Sequence, residues 1–220
     1  MFEFKSRMDI STLEKSQERP IEMEIQKSVL SNDYLFSRRK RTLDLLITIL
    51  SLPFTFTVIV FSAALILLVN GSPVMFKQKR IGKNGKEFII FKLRTIKKRA
   101  SNREGVLHNN GDISSIGKIL RLFRFDEFPQ IWNILIGNMS WVGPRPEVGY
   151  YVDKYTNLDP QFSERLKALP GITGLAQVKN PNATPNENLD KLVHDIEYIR
   201  TASLKNDLKI IVNTFFLIWK

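Results

Sequence analysis

The chain has 220 residues, 43% hydrophobic and 25% charged, enough for one domain with a core of its own or a small domain with an accessory segment. It holds no cysteine, which excludes disulfides, thiolate nucleophiles and cysteine metal sites. Its net charge of +11 is gathered in one block, +14 over residues 37–124 against −2 over 1–36 and −1 over 125–220, and such a block fits anionic lipid headgroups, a phosphate-rich ligand, nucleic acid or a plain solvated face.

In chain order, residues 1–36 are polar and mixed in charge and read as a leader or a short helix. From Leu45 to Val69 runs LLITILSLPFTFTVIVFSAALILLV, 25 residues without a charge. As a straight helix it is about 37 Å long, against a hydrocarbon core of about 30 Å, so residues 37–70 are expected to insert in a membrane. The charged leader ahead of it does not match a cleaved secretory signal. Both flanks are basic, RRKR at Arg38–Arg41 and then Lys77, Lys79, Arg80 and Lys83, and the positive-inside rule puts both on the cytoplasmic side. Two arrangements remain. One is a re-entrant helix bent at Pro53, with Ser51 and the nearby threonines satisfying freed carbonyls; the other is a kinked spanning helix with a basic far end. Flanking charge leaves them close to even, leaning to the re-entrant form.

Beyond the run, Val74–Lys79 and Glu87–Leu93 read as two strands joined by GKNGK, whose Asn-Gly pair is a hairpin turn. Residues 97–114 read as a loop, IGKILRLF as a short amphipathic helix, and DEFPQIWNIL as the start of another. GPRPE (Gly143–Glu147) is irregular because two prolines bracket Arg145. VGYYVDKYTNL and PQFSERLKAL read as helices, and PGITGLAQV has turn residues at each end, so Gly171 and Gly174 are expected to serve turn geometry. ENLDKLVHDIEYIRTA spaces Leu189, Leu192, Val193, Ile196 and Ile199 at a helical period. DLKIIVNTFFLIWK is an apolar helix, for a core or for a membrane interface.

The chemistry centres on Asp126 and Glu127. Local sequence favours a helix N-cap, with Asp126 accepting the first amides, Glu127 favoured by the dipole and Pro129 in the first turn. The competing reading makes Asp126 a nucleophile at phosphorus and Glu127 a ligand of a hard cation, with arginines neutralising an anionic substrate. Arg121, Arg124, Arg145, Arg94 and Lys92 are candidate phosphate contacts, Arg145 the strongest because two prolines restrict it. His108 and His194 have no partner spacing, and there is no Walker loop, GxGxxG or HExxH.

RTLDLL before the apolar run, GSPVMFKQKRIGKNGKEFIIFKLRTI, LRLFRFDEFPQIWNILIGNMSWVGPRPE, LPGITGLAQV and HDIEYIRTASLKNDLKIIVNTFF stand in the order seen in bacterial sugar transferases, and the chain resembles that family over about residues 38–216. These are monotopic phosphoglycosyl transferases, which move a sugar-1-phosphate from a UDP-sugar to undecaprenyl phosphate and release UMP. The resemblance implies a mostly helical α+β, compact, monotopic membrane-associated domain. It would have a re-entrant helix over 37–70 after the 1–36 leader, and a cytoplasmic catalytic domain over 71–220 with a β-hairpin and amphipathic interfacial helices. It implies that Asp126 attacks the sugar-linked phosphate and that Glu127 helps hold Mg²⁺. Arg121, with Pro144, Arg145 and Pro146, would hold the nucleotide sugar, and Lys92, Arg94 and Gln130 complete the expected substrate-binding set. The implied setting is the bacterial inner membrane, at the first membrane step of a capsule, exopolysaccharide, O-antigen or glycoprotein pathway, against anionic headgroups, without nucleic acid, and with a homodimer left open. Three features depart from the family pattern: Arg124-Phe125 where many members carry Ser-Leu, Ser51 and Pro53 separated and near the start of the run, and a leader without counterpart. The alternative is a non-catalytic membrane module that binds anionic lipid or a partner synthase, which leaves the acid pair and GPRP without a job.

Overall fold

The computed structural model describes residues 32–96, 113–181 and 187–218, so the leader over 1–31, the loop over 97–112 and His108 lie outside the described residues. The architecture is mostly helical, with two small sheets. A one-turn helix α1 (Asp33–Phe36) leads into α2 (Arg38–Asn70), a continuous helix of 33 residues that Pro53 does not end. The buried residues of α2 are Lys40, Asp44, Thr48, Thr55, Ser62 and Ile66. Their spacings of four and seven put them on one face. That face is polar, while Leu50, Phe54, Phe61 and Leu68 are more than 60% exposed. A helix packed in water has the reverse pattern, so α2 presents an apolar outer face that nothing among the described residues covers. The hydroxyls bond helix carbonyls, Thr48 to Asp44 O, Ser51 to Thr48 O, Thr55 to Ser51 O and Thr57 to Pro53 O, at 2.7–3.0 Å, but not the one they were expected to satisfy. Among the described residues none reaches Ile49 O, the carbonyl that Pro53 leaves without its helical donor.

Strands β1 (Met75–Ile81) and β2 (Glu87–Leu93) pair antiparallel, Met75 with Leu93 through Ile81 with Glu87. Asn84 at φ 56° and Gly85 at φ 73° make the turn, the two left-handed residues such a hairpin needs. Next come α3 (Ser115–Leu122), a 3₁₀ turn over Phe125–Gln130, α4 (Ile131–Leu135) and β3 (Ser140–Val142). Asn133 at zero exposure extends β2 as a strand would, donating to Ile89 O (2.7 Å) and accepting from Phe91 N (3.2 Å). Helix α5 (Gly149–Leu158) and a 3₁₀ stretch (Pro160–Lys167) cross to β4 (Gly171–Thr173), which pairs parallel with β3. Helices α6 (Leu175–Lys179), α7 (Asn188–Thr201) and α8 (Leu204–Ile218) complete the body. Leu192, Ile196 and Ile199 face its core, whereas Val193 is exposed.

Gly171 and Gly174 do not serve the turn geometry expected of them. Gly171 lies in β4 and Gly174 is extended, and a Cβ on either would come within 2.2 Å of the backbone of Gly143. They are glycines because the PGITG and GPRP segments cross in contact, which no side chain survives.

Both ends of α2 are tied to this one body. At the first end, Arg41 donates to Ile134 O (2.6 Å) and Leu135 O (2.9 Å). Lys40 Nζ donates to Asp207 Oδ2 at 2.7 Å, and the same buried carboxylate takes the hydroxyls of Tyr34 (2.8 Å) and Tyr198 (2.9 Å). Asp44 Oδ1 accepts from Ser140 Oγ and Trp141 N. Ahead of the helix, Asn32 donates to the carbonyls of Ile199, Arg200 and Ala202 at 3.1 Å, so residues 32–36 are part of the body. At the far end, Asn70 Nδ2 meets Ser114 Oγ at 2.8 Å, and Ile66 packs with Leu93 and Leu120.

Candidate active site

Arg124 adopts the left-handed conformation, φ 55°, and turns the chain sharply out of α3. The next residues form the 3₁₀ turn, in which Asp126 and Glu127 are 8% and 7% exposed. The expected N-cap does not form: Arg124 holds the cap position without a side-chain bond, and both acids lie inside the turn. A 3₁₀ turn has three residues per turn, so consecutive side chains diverge by about 120° and meet different surroundings.

Glu127 points between β2 and the GPRP loop. Its Oε1 accepts from Lys92 Nζ at 2.7 Å and Arg145 Nη2 at 2.6 Å, and its Oε2 lies 3.5 Å from Arg145 Nη1. Burial opposes its ionised form, but the charges and hydrogen bonds of Arg145 and Lys92 win and hold the carboxyl well below the usual carboxylate range. Asp126 differs. Among the described residues its carboxylate accepts no hydrogen bond and forms no ion pair. Burial first, and then the Glu127 charge, push it up to about 6, against the pull of Lys92, Arg121 and Arg145. Two adjacent acids thus have opposite electrostatic fates, one fixed as an anion and one poised near neutrality.

The GPRP loop is held at every carbonyl from Pro144 to Glu147. Pro144 O accepts from Gly171 N (2.9 Å), Arg145 O from Arg165 Nη2 (2.9 Å), Pro146 O from Arg80 Nη1 (3.0 Å) and Glu147 O from Ile81 N (2.9 Å). Arg165 also pairs with Asp195 at 2.8 Å, both almost without exposure. Arg145 is therefore set by its backbone as well as by Glu127. Beyond it opens a cavity of about 210 Å³ lined by Arg124, Arg145, Arg165, Gln177, Lys191 and Asp195, among others.

The remaining expected residues divide. Lys92 and Arg145 touch Glu127, and Pro144 and Pro146 frame Arg145. Arg121 bonds Thr95 Oγ1 at 2.8 Å and acts on Asp126 by charge. Gln130 is 2% exposed with its Nε2 unpartnered. Arg94 stands apart: its Nη2 donates to Asn70 O (2.7 Å) and Gly71 O (2.6 Å), tying β2 to the end of α2 rather than meeting the acid pair. No local pattern marks Arg80, Arg165 or Asp195 as site residues, because each acts through a partner distant in sequence. The flanking phenylalanines form a ladder, Phe123 on Phe125, Phe125 on Phe128 (5.2 Å between centroids), and Phe128 on Phe54 of α2 (6.2 Å), which couples the acid turn to the apolar face of α2.

Comparison with known proteins gives a consistent picture. The family described as bacterial sugar transferase matches residues 35–220. The chain is 38% identical over 181 residues to the UDP-glucose:undecaprenyl-phosphate glucose-1-phosphate transferase of Caulobacter vibrioides, covering 80% of this chain and 68% of that protein. It is 35% identical over 178 residues to the UDP-N-acetylgalactosamine-undecaprenyl-phosphate N-acetylgalactosaminephosphotransferase of Aeromonas hydrophila, again over 80% of this chain but 42% of that longer protein. The exopolysaccharide production protein PSS of Rhizobium leguminosarum bv. phaseoli is 35% identical over 184 residues, 92% of its length.

Proposed function

Because the chain belongs to the bacterial sugar transferase family, we propose that it transfers a sugar-1-phosphate from a UDP-sugar to undecaprenyl phosphate, through a phosphosugar carried on Asp126. The observation that carries this reading is the asymmetry of the acid pair: a buried carboxylate free of hydrogen bonds beside one clamped by two cations. In the first step an Asp126 oxygen attacks the sugar-linked phosphorus, the bond from that phosphorus to the bridging oxygen breaks, and UMP leaves with the electron pair. In the second, an oxygen of the lipid phosphate attacks the same phosphorus and the Asp126 carboxylate is released. Arg145, Lys92 and Arg121 stabilise charge on the phosphates through both steps.

Glu127 fits a Mg²⁺ ion. Its Oε2 has only the long contact with Arg145 and keeps free lone pairs. Mg²⁺ takes one or two carboxylates and completes its shell with phosphate and water, so a single carboxylate oxygen can serve it here. Bound there, Mg²⁺ would neutralise part of the diphosphate charge.

The nucleophile is the ionised form of Asp126, and its pKa is raised, so activity belongs to the alkaline side of about 6. UMP release should be level above that value and fall at more acid pH as the carboxylate takes up its proton. Assaying it with undecaprenyl phosphate from pH 5 to 8 across a panel of UDP-sugars tests the reaction and the ionisation together; no UMP from any sugar refutes the reaction, and a rate that rises as the pH falls refutes an ionised nucleophile. The panel also identifies the sugar, since the named relatives use different ones at 35% and 38% identity.

We read α2 as re-entrant at the cytoplasmic membrane. Its two ends are bonded to one polar, catalytic body, and a body cannot lie on both sides of a bilayer. Exposed Ile119 and Leu122 on α3, with Trp132 and Ile136 around α4, extend the apolar surface beside it, as a monotopic domain requires. The chain has no native cysteine, so single cysteines at Ser37 and Ser72 can be labelled with an impermeant reagent in intact cells. Both should stay unlabelled until lysis; labelling of one alone would establish a spanning helix.

A further inference from the structure

We propose that the basic cavity beyond Arg145 holds the leaving nucleotide, and that Arg124 is a phosphate contact there. This rests on the sugar-phosphate transfer reading above and adds a residue that the family pattern, with its usual serine, does not supply.

The placement follows from Arg145. Its guanidinium touches Glu127 on one side and lines the cavity on the other. A diphosphate whose reacting phosphorus sits at the acid pair therefore continues past Arg145 into the cavity, where in-line attack by Asp126 directs the leaving group. The volume, about 210 Å³, is below the roughly 300–1,000 Å³ of pockets that enclose a whole drug-sized ligand. It suits one end of the donor. Four cations and one acid line it: Arg124, Arg145, Arg165 and Lys191 against Asp195. Arg165 is paired with Asp195 and Arg145 with Glu127. Among the described residues the half-buried Arg124 guanidinium has no hydrogen bond or ion pair, so its charge is available to meet an anion.

The lipid phosphate is the other phosphate monoester in the reaction, and the Phe54–Phe128 contact puts the lipid-facing helix against the acid turn itself rather than against α6 and α7.

The test measures binding of UMP, uridine and undecaprenyl phosphate to the full chain in nanodiscs, for the native protein and for Arg124→Ser and Arg124→Lys. The ratio of UMP to uridine affinity isolates the phosphate, because misfolding weakens both ligands alike. Arg124→Ser should lower that ratio about tenfold and Arg124→Lys less, with undecaprenyl phosphate affinity unchanged. A ratio within twofold of native in Arg124→Ser, or a loss confined to undecaprenyl phosphate, overturns the proposal. The transfer reading fails separately, if the native protein binds UMP yet never forms a phosphosugar adduct.

Discussion

Asp126→Asn forms no adduct with a UDP-sugar and loses about 10⁴-fold or more in turnover, the largest effect expected of any single substitution in this chain. The carboxamide is isosteric and uncharged, so it leaves the turn in place while removing the attacking oxygen. Nothing in the structure needs the Asp126 charge: it caps no helix, and among the described residues it accepts no hydrogen bond and pairs with no cation. Its ionised form is even opposed by burial and by Glu127, so the substitution should not lower the melting temperature. Loss of activity with retained stability is the signature of a reacting group rather than a structural one. The direct measurement is intact mass after incubation with donor and no lipid. The native protein should gain one sugar phosphate and the variant none, and full turnover by Asp126→Asn would sink the covalent route.

Lys40→Met is expected to destabilise the protein by about 3–5 kcal/mol, the usual cost of leaving a buried charge without its partner. Asp207 has no exposed surface, and Lys40 is its cation at 2.7 Å. Without that cation the carboxylate keeps two phenol hydroxyls, which hydrogen-bond it but do not neutralise it. The control is Lys79→Met. Its pair with Glu87 is 3.1 Å long but 76% and 59% exposed, so water screens it and its loss should cost no more than about 1 kcal/mol. Denaturant unfolding of both variants in the same nanodiscs separates the two cases, and a Lys40→Met protein as stable as Lys79→Met would show that the buried network contributes nothing.

The sequence made legible what depends on near neighbours. The Asn-Gly pair marked the hairpin, the charge-free run marked α2, and two prolines marked Arg145 as restricted. Asp-Glu-x-Pro is locally a sound capping pattern, and only the left-handed turn at Arg124 removes the helix start it would cap. Strands β3 and β4 are three residues each, too short for any periodicity, and their pairing is paid for by contacts between segments some thirty residues apart. Arg94 looked like a phosphate ligand because nothing local says that the end of α2 lies against it. The charges that fix the site, Arg165 on Arg145 O and Arg80 on Pro146 O, act across 20 and 66 residues.

The bond from Lys40 to Asp207 spans 167 residues, and that separation orders events at the ribosome. Synthesis at about 5–20 residues per second leaves roughly 10–30 s between the emergence of the two partners. For that interval α2 has its polar face, Lys40 and Asp44 included, without the carboxylate that completes it. The body that α2 packs against is thus completed only when α8, translated later, brings Asp207 to Lys40.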